Sequence, residues 1–145
     1  MSDEELERFL VEERTVTCAT AGPNGRPHLM PLWYVPKRHE LTAWTFAKSQ
    51  KARNLERDAH ATLQIEAGEE YGELRGAMLE CDVALERDVE RVARLGLELM
   101  RRYSGGASDE DLEAGVRAQA PKRVGMRFTP TRIVSWDHRK LGATY

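Results

Sequence analysis

The sequence predicts a mainly β fold with helices, an α+β protein built around a small antiparallel barrel. Short apolar runs with strand-like alternation recur along the chain, and tight turn signals such as Gly22-Pro23-Asn24-Gly25 separate them. Strands and helices do not alternate regularly, which argues against a doubly wound parallel sheet. The 145 residues are expected to form one domain, 1–145.

The first half of the chain predicts a helix, three strands and a short basic helix. In order, these elements cover residues 3–12, 15–20, 28–35, 41–46 and 50–57. The run 28–35 is apolar on both faces, so we expect a strand buried on both sides. Pro31 lies within it and cannot donate a ladder hydrogen bond. This proline indicates either an edge or bulge with backbone groups free for a ligand, or simply the end of the strand.

The second half predicts three more strands and two helices. A strand over 61–66 and a loop over 68–72 precede a long strand over 73–85. Apolar residues then recur at helical spacing over 89–103, and Ser108 is a predicted N-cap for a second helix. The chain closes with a strand over 124–136 that is expected to bend near Pro130.

Composition narrows the possible partners and locations. Net charge is −2, from 22 basic and 24 acidic residues, and this balance argues against a nucleic-acid partner. No apolar run approaches the roughly 20 residues of a membrane span, so no membrane contact is predicted. Cys18 and Cys81 are isolated in strand-like runs, which predicts buried reduced thiols and a cytoplasmic location. The four histidines lack the spacing of a metal site, so no metal is predicted.

The most informative segment follows the strand over 41–46. Five polar residues occur there within seven positions: Lys48, Ser49, Lys51, Arg53 and Asn54. Ser49 is a natural N-cap, and the start of a helix offers free N–H groups and partial positive charge. These features predict an anion site suited to a phosphate. Because Glu56 and Asp58 follow closely, a solvated basic helix is the alternative.

Three segments together resemble the split-barrel flavin and deazaflavin proteins, the pyridoxamine 5′-phosphate oxidase-like superfamily. Residues 19–28, Ala-Thr-Ala-Gly-Pro-Asn-Gly-Arg-Pro-His, resemble its first hairpin. Residues 48–55, Lys-Ser-Gln-Lys-Ala-Arg-Asn-Leu, resemble its phosphate-binding loop and helix. Residues 135–141, Ser-Trp-Asp-His-Arg-Lys-Leu, resemble the end of the last strand in an actinobacterial branch of F-420-dependent reductases. The resemblance implies a six- to seven-stranded antiparallel split β-barrel of the FMN-binding type.

The resemblance also implies a homodimer with cofactor sites at the subunit interface. Residues 48–54 would hold the cofactor phosphate. The cofactor ring would lie near the strand that contains Met30, Pro31, Leu32 and Trp33, with Trp44 and Thr45 beside it. Trp136, His138 and Lys140 would approach the ring from the other chain.

The function implied is an oxidoreductase that uses coenzyme F-420 to reduce a small organic acceptor by hydride transfer. The alternatives are an FMN-binding oxidoreductase of the same superfamily and a non-catalytic F-420 or FMN carrier. The sequence identifies no catalytic residue, since His138 is either a proton donor or a solvated tail residue. F-420 ends in a chain of glutamates, and three basic pairs could meet it or be ordinary surface charge: Lys37-Arg38, Lys122-Arg123 and Arg139-Lys140.

Overall fold

The computed structural model describes residues 1–142 and contains four α-helices and seven strands in that range. The helices are α1 (Asp3–Glu12), α2 (Gln50–Arg57), α3 (Val89–Tyr103) and α4 (Asp109–Gln119). The strands are β1 (Val16–Ala21), β2 (Pro27–Leu32), β3 (Val35–Lys37), β4 (Glu40–Phe46), β5 (His60–Ala67), β6 (Arg75–Glu86) and β7 (Arg123–Asp137). Short 3-10 turns cover Tyr71–Glu73, Ala120–Lys122 and His138–Leu141.

The strands form a single antiparallel sheet in the order β2-β1-β5-β6-β7-β4-β3. Its two edge strands, β2 and β3, are consecutive in the chain and are joined by only Trp33 and Tyr34. Two residues span less than about 10 Å, so the sheet must curl until its edges approach each other. No hydrogen-bonded ladder joins β2 to β3. The predicted six- to seven-stranded split barrel is confirmed, with seven strands.

The predicted strand over 28–35 is wrong in its length and its burial. The structure divides it into β2 and β3, and most of β2 is exposed because that strand forms one edge of the sheet. Pro31 is therefore tolerated, since its missing N–H lies in a strand with a single neighbour. Two apolar residues of β2 lie outside the core, since Leu29 is 60% exposed and Met30 is 46% exposed, whereas Leu32 at the end of the strand is buried.

A bulge bends β7 where the sequence predicts a bend. Glu80 pairs with Arg132 and Cys81 pairs with Pro130, so Thr131 is an extra residue in the ladder between β6 and β7. The Thr131 hydroxyl donates a hydrogen bond to the Glu80 carbonyl at 3.2 Å. This irregularity helps a 15-residue strand follow the curvature of the barrel.

Apolar side chains form two separate cores. The main core fills the inside of the curled sheet and includes Phe9, Tyr34 and Phe128. The second core lies on the outer face of the sheet, where α3 and α4 pack over Trp44. Cys18 and Cys81 belong to the main core and are buried free thiols, as predicted. Burial raises the pKa of Cys18 to about 11 and that of Cys81 to about 12.

The end of α1 is fastened to α3 by Arg102. Its guanidinium donates to the carbonyls of Leu10, Val11 and Glu13 at 3.2, 3.0 and 2.7 Å, which are the carbonyls left free where α1 ends. The Tyr34 hydroxyl lies 2.7 Å from the Leu10 carbonyl and 2.9 Å from the Glu13 carbonyl, and its one proton is shared between them. Within residues 1–142, every helix is too short or too polar to span a bilayer.

Candidate functional site

Four buried polar or charged side chains lie together where α2 meets the sheet. They are Thr20, Thr45, Lys51 and Asn54, which are 2, 6, 5 and 0% exposed. β1 supplies Thr20, β4 supplies Thr45, and α2 supplies the other two residues. This cluster sits at one end of the barrel interior, where α2 packs against β1, β4 and β6.

Lys51 carries the most unusual group of this cluster. Its Nζ lies 3.5 Å from Thr45 Oγ1, and no carboxylate among the described residues pairs with it. Burial lowers the pKa of Lys51, and the neighbouring Cys18 thiol partly opposes that shift. A desolvated ammonium without an anion is unfavourable. The cluster therefore has the charge and the donors to receive a ligand anion.

Asn54 holds α2 against β1. Its Nδ2 donates to Thr20 Oγ1 at 3.1 Å, and its Oδ1 accepts from Gln50 Nε2 at 2.7 Å. Ser49 begins the helix, and its hydroxyl accepts from the backbone N–H of Ala52 at 3.1 Å. The predicted N-cap is thus confirmed, and these bonds fix the first turn of α2 next to Thr45.

The structure divides the predicted phosphate-binding residues into two groups. Lys51 and Asn54 face inward, whereas Lys48 and Arg53 are exposed. The division follows from helical geometry, because residues three apart share one face and residues two apart do not. The segment is therefore neither one compact basic surface nor a fully solvated helix.

The residues predicted to line a cofactor ring do not lie on one face of this chain. Met30 and Pro31 are on the exposed edge strand, Leu32 is 9% exposed, and Trp33 stacks on Tyr103 with ring centroids 4.4 Å apart. Trp44 is buried in the second core. Because side chains alternate along β4, Trp44 and Thr45 point to opposite faces of the sheet.

The predicted C-terminal residues each contact another segment of the chain, although Lys140 is exposed. The Trp136 ring covers Gly76, where a Cβ would lie only 2.3 Å from Cζ2 of the ring. His138 Nδ1 lies 2.9 Å from the Tyr71 carbonyl oxygen. Lys140 Nζ donates to Glu5 Oε2 at 2.6 Å, and this bond is the main reason why the pKa of Glu5 falls to about 2.

The α2 cluster and this C-terminal group lie toward opposite ends of β7. Val124 pairs with Thr45, and Trp136 pairs with Gly76. The twelve steps between Val124 and Trp136 correspond to about 40 Å of extended strand. A single chain therefore does not bring the two predicted halves of the site together.

The structure places two residues that the sequence named without a position, His28 of the Pro-His motif and Arg123 of the basic pair at 122–123. His28 faces Thr20 across the β1–β2 ladder, and no residue in the range 1–142 supplies a hydrogen-bond partner for its buried Nδ1. Arg123 pairs with Phe46 in the ladder, and its guanidinium lies 3.7 Å from the Phe46 ring centroid and 5.0 Å from that of Trp44. The Pro-His motif and the basic pair at 122–123 were visible, but their position depends on strand register.

Within the described part of the chain, no group of three or more His, Cys, Asp or Glu side chains is arranged to hold a metal ion. The thiols of Cys18 and Cys81 have raised pKa values because they are buried, so neither has the thiolate character of a nucleophile. The arrangement suits binding of an anionic ligand more than covalent catalysis.

Comparisons with known proteins agree with this architecture. Residues 2–137 match the model of the family described as pyridoxamine 5′-phosphate oxidase. A conserved hypothetical protein from Mycobacterium tuberculosis is 41% identical in sequence, with a TM-score of 0.91, over 100% of this chain and 90% of that one. No curated protein matches the chain.

Two more distant structures share the fold. An F420 reductase is 21% identical with a TM-score of 0.71, covering 88% of this chain and 94% of that one. HutZ, the heme storage protein from Vibrio cholerae, is 18% identical with a TM-score of 0.70, and the coverages are 92% and 92%. At these identities the likeness concerns the fold alone.

Proposed function

Because this chain belongs to the pyridoxamine 5′-phosphate oxidase family, we propose that it is an oxidoreductase that uses coenzyme F-420 to reduce a small organic acceptor. One observation carries the proposal: the Lys51 ammonium is buried beneath the start of α2 with no carboxylate among residues 1–142 to balance it. A cofactor phosphate at this position would supply the missing negative charge. The F420 reductase that shares the fold adds support for the coenzyme.

The residues present fit such a phosphate. Ser49 and the first turn of α2 contribute a hydroxyl and backbone N–H groups, while Lys51 contributes the charge. Asn54 keeps α2 in place through Thr20. Bound F-420 would supply a hydride from its ring carbon, and the protein would provide position and electrostatics.

The three basic pairs considered for the glutamate tail differ in how they are engaged. Arg38, Arg139 and Lys140 are bound to Glu7, Asp137 and Glu5, respectively. The pair Lys122-Arg123 has no carboxylate partner among the described residues. It also adjoins the loop before α2, because the Ala47 N–H donates to the Lys122 carbonyl at 2.9 Å. We therefore assign the tail to this pair, which favours F-420 over FMN.

The proposal includes a homodimer. Its basis is the separation of the α2 cluster from Trp136 and His138 along β7, which a second copy would overcome by bringing its own C-terminal segment to the cluster. The edge strand β2 also exposes Leu29 and Met30, and the adjoining Trp33 is 50% exposed. Apolar side chains at a sheet edge are typical of surface that is covered by a partner.

The test is a titration of the purified protein with F-420 and with FMN, at low and high salt. We expect F-420 to bind more tightly at low salt, and part of this advantage to disappear at high salt, because exposed tail contacts are screened. Lys51→Met should weaken both ligands about tenfold to hundredfold, the equivalent of about 1.5–3 kcal/mol for a charge-assisted bond. Lys37→Met removes an exposed lysine from β3 and should change FMN binding little.

Each part of the proposal can fail separately. Tighter binding of FMN at both salt concentrations would replace F-420 with FMN. Equal binding by wild type and Lys51→Met would remove the phosphate from the α2 cluster. Sedimentation of the same sample at 16.5 kDa, the mass of one chain, would contradict the dimer. Reduced coenzyme should be consumed only when an acceptor is present, and no consumption with any acceptor would favour a carrier.

A further inference from the structure

A cavity lies on the outer face of the sheet, away from the α2 cluster. It has a volume of about 510 Å³ and is bounded by α3 on one side and by β4, β6 and β7 on the other. Its apolar side chains are those of Ala84 and Leu95, while Leu85 and Met126 border it from strand positions whose side chains face the main core. Binding pockets for small molecules usually measure about 300–1,000 Å³, so the space is large enough for a ligand.

Strand register explains why the space exists. Arg127 of β7 stands between two small side chains, since it pairs with Thr42 on β4 and with Ala84 on β6. The next outward position of β7 is Gly125, which has no side chain and lies close to Leu95. Alternation places these residues on one face of the sheet. The small side chains around Arg127 therefore leave the cavity open, and Arg127 is the large polar group at its floor.

The charges around the cavity are not balanced. Arg91, Arg94 and Arg127 carry three positive charges, whereas Glu86 and Glu98 carry two negative ones. Arg91 is engaged, because its Nη1 lies 3.5 Å from Glu86 Oε1. For Arg94 and Arg127, no described residue supplies an ion pair or a side-chain hydrogen bond. Two guanidinium groups are thus available to a ligand at the edge of an apolar surface.

We infer that this cavity binds a small organic monoanion, a carboxylate on an apolar body about the size of a fused aromatic ring pair. A guanidinium presents two parallel N–H donors that match a carboxylate, and the apolar lining would cover the body. The two glutamates disfavour a ligand with several negative charges, which argues against a polyphosphate. The inference does not depend on the proposed cofactor site, because Thr45 and Lys51 lie on the other face of β4.

The probe is naphthalene-2-carboxylate, titrated calorimetrically into the full chain, with 2-naphthylmethanol as the uncharged analogue and inorganic phosphate as the bare anion. We expect the carboxylate to bind at least about tenfold more tightly than the alcohol, as a charge-assisted bond to arginine requires. Arg127→Leu should remove that advantage. Ala84→Phe should block binding of both naphthalene compounds, because it fills the space and leaves the arginines in place.

Arg132→Leu is the matched control, since Arg132 is an exposed arginine of the same strand that pairs with Glu80 instead. It should bind the probe as wild type does, and F-420 titration of Arg127→Leu should also be unchanged. Equal loss of probe binding in Arg127→Leu and Arg132→Leu would overturn the inference, as would equal binding of carboxylate and alcohol. Phosphate that binds and displaces the probe would identify an inorganic-anion site and also overturn it. Thermal unfolding of each variant confirms that it is folded.

Discussion

Strand β4 separates two regions that are packed in opposite ways. On its outer face, Trp44 lies against Gly96 of α3, so closely that a Cβ on Gly96 would be 2.2 Å from Cζ3 of the ring. On its inner face, Thr45 is the one hydrogen-bond partner that residues 1–142 offer the Lys51 ammonium, at 3.5 Å. The outer contact is tight and apolar, whereas the inner contact leaves a buried charge uncompensated.

The difference shows that the fold needs the apolar contact of Trp44 but only tolerates the buried charge of Lys51. Burying Trp44 gains apolar contact and needs no polar partner beyond the neighbouring Arg123. Burying Lys51 costs desolvation, and nothing in the architecture of the barrel requires an ammonium at that position. Groups that cost stability are concentrated at functional sites. At the α2 cluster we therefore expect that function, and not packing, determined the residue types.

The largest effect should come from filling the contact on the outer face. Gly96→Ala places a methyl group within van der Waals overlap of the Trp44 ring. We expect the free energy of unfolding to fall by about 2–3 kcal/mol, even though alanine favours the helix. Gly115→Ala is the matched control, because it lies within α4 and its Cβ would meet no atom within 4 Å. It should gain about 0.5–1 kcal/mol. Chemical denaturation measures both values, and a stabilised Gly96→Ala would show that the contact is loose.

The next largest effect should come from breaking the hydrogen bond between Asn54 and Thr20, which holds α2 against β1. Asn54→Ala leaves Thr20 Oγ1 without its buried donor, and we expect a loss of about 1–3 kcal/mol. Gln50→Ala removes a partner of the same amide at an exposed position, so it should cost under about 1 kcal/mol. Denaturation of the two variants tests the ranking. Equal losses would mean that the burial of Asn54 adds nothing.

Much of this architecture could be predicted from the sequence because it depends on local patterns. The Ser49 N-cap, the helix over 89–103 and the bend near Pro130 each depend on nearby residues. The error at 28–35 has a non-local cause. An apolar run cannot show whether a strand is central or at an edge, because that depends on which strands pair with it.

The candidate site was predictable in composition but less so in arrangement. The segment 48–54 supplies residues of the right type, yet the sequence alone does not show that Lys51 is buried while Arg53 is exposed. That assignment requires the position of α2 over β1 and β4. The positions of His28 and Arg123 were not predictable for the same reason, since cross-strand register brings them beside Thr20 and Phe46.

The smallest effect should be a gain. Lys51→Met removes the uncompensated charge and keeps an apolar side chain of similar length, so we expect about 1 kcal/mol of stabilisation at neutral pH in phosphate-free buffer. The pKa of Lys51 in the folded protein is lowered from its ordinary value of 10.5, mainly by burial. Below that lowered pKa both states are protonated, and the folded state bears the full cost. As pH rises through it, the folded state loses its proton first and the cost disappears.

The advantage of Lys51→Met should therefore shrink as pH rises toward 10.5. Cys18→Ala is introduced into both proteins, because the Cys18 thiol interacts with the ammonium. The pKa of Tyr34 is raised to about 12, and its contribution to the pH dependence is the same in both proteins, so it cancels in the difference between them. Denaturation at several pH values measures this convergence. Adding inorganic phosphate at neutral pH should stabilise the protein that retains Lys51 and leave the methionine variant unchanged, because only a bound ligand shifts the folding equilibrium. The two proteins could instead differ in stability by an amount that is constant with pH and unaffected by phosphate. That result would mean that the ammonium is already neutralised within the fold. The α2 cluster would then be no more a binding site than the contact of Trp44 with Gly96.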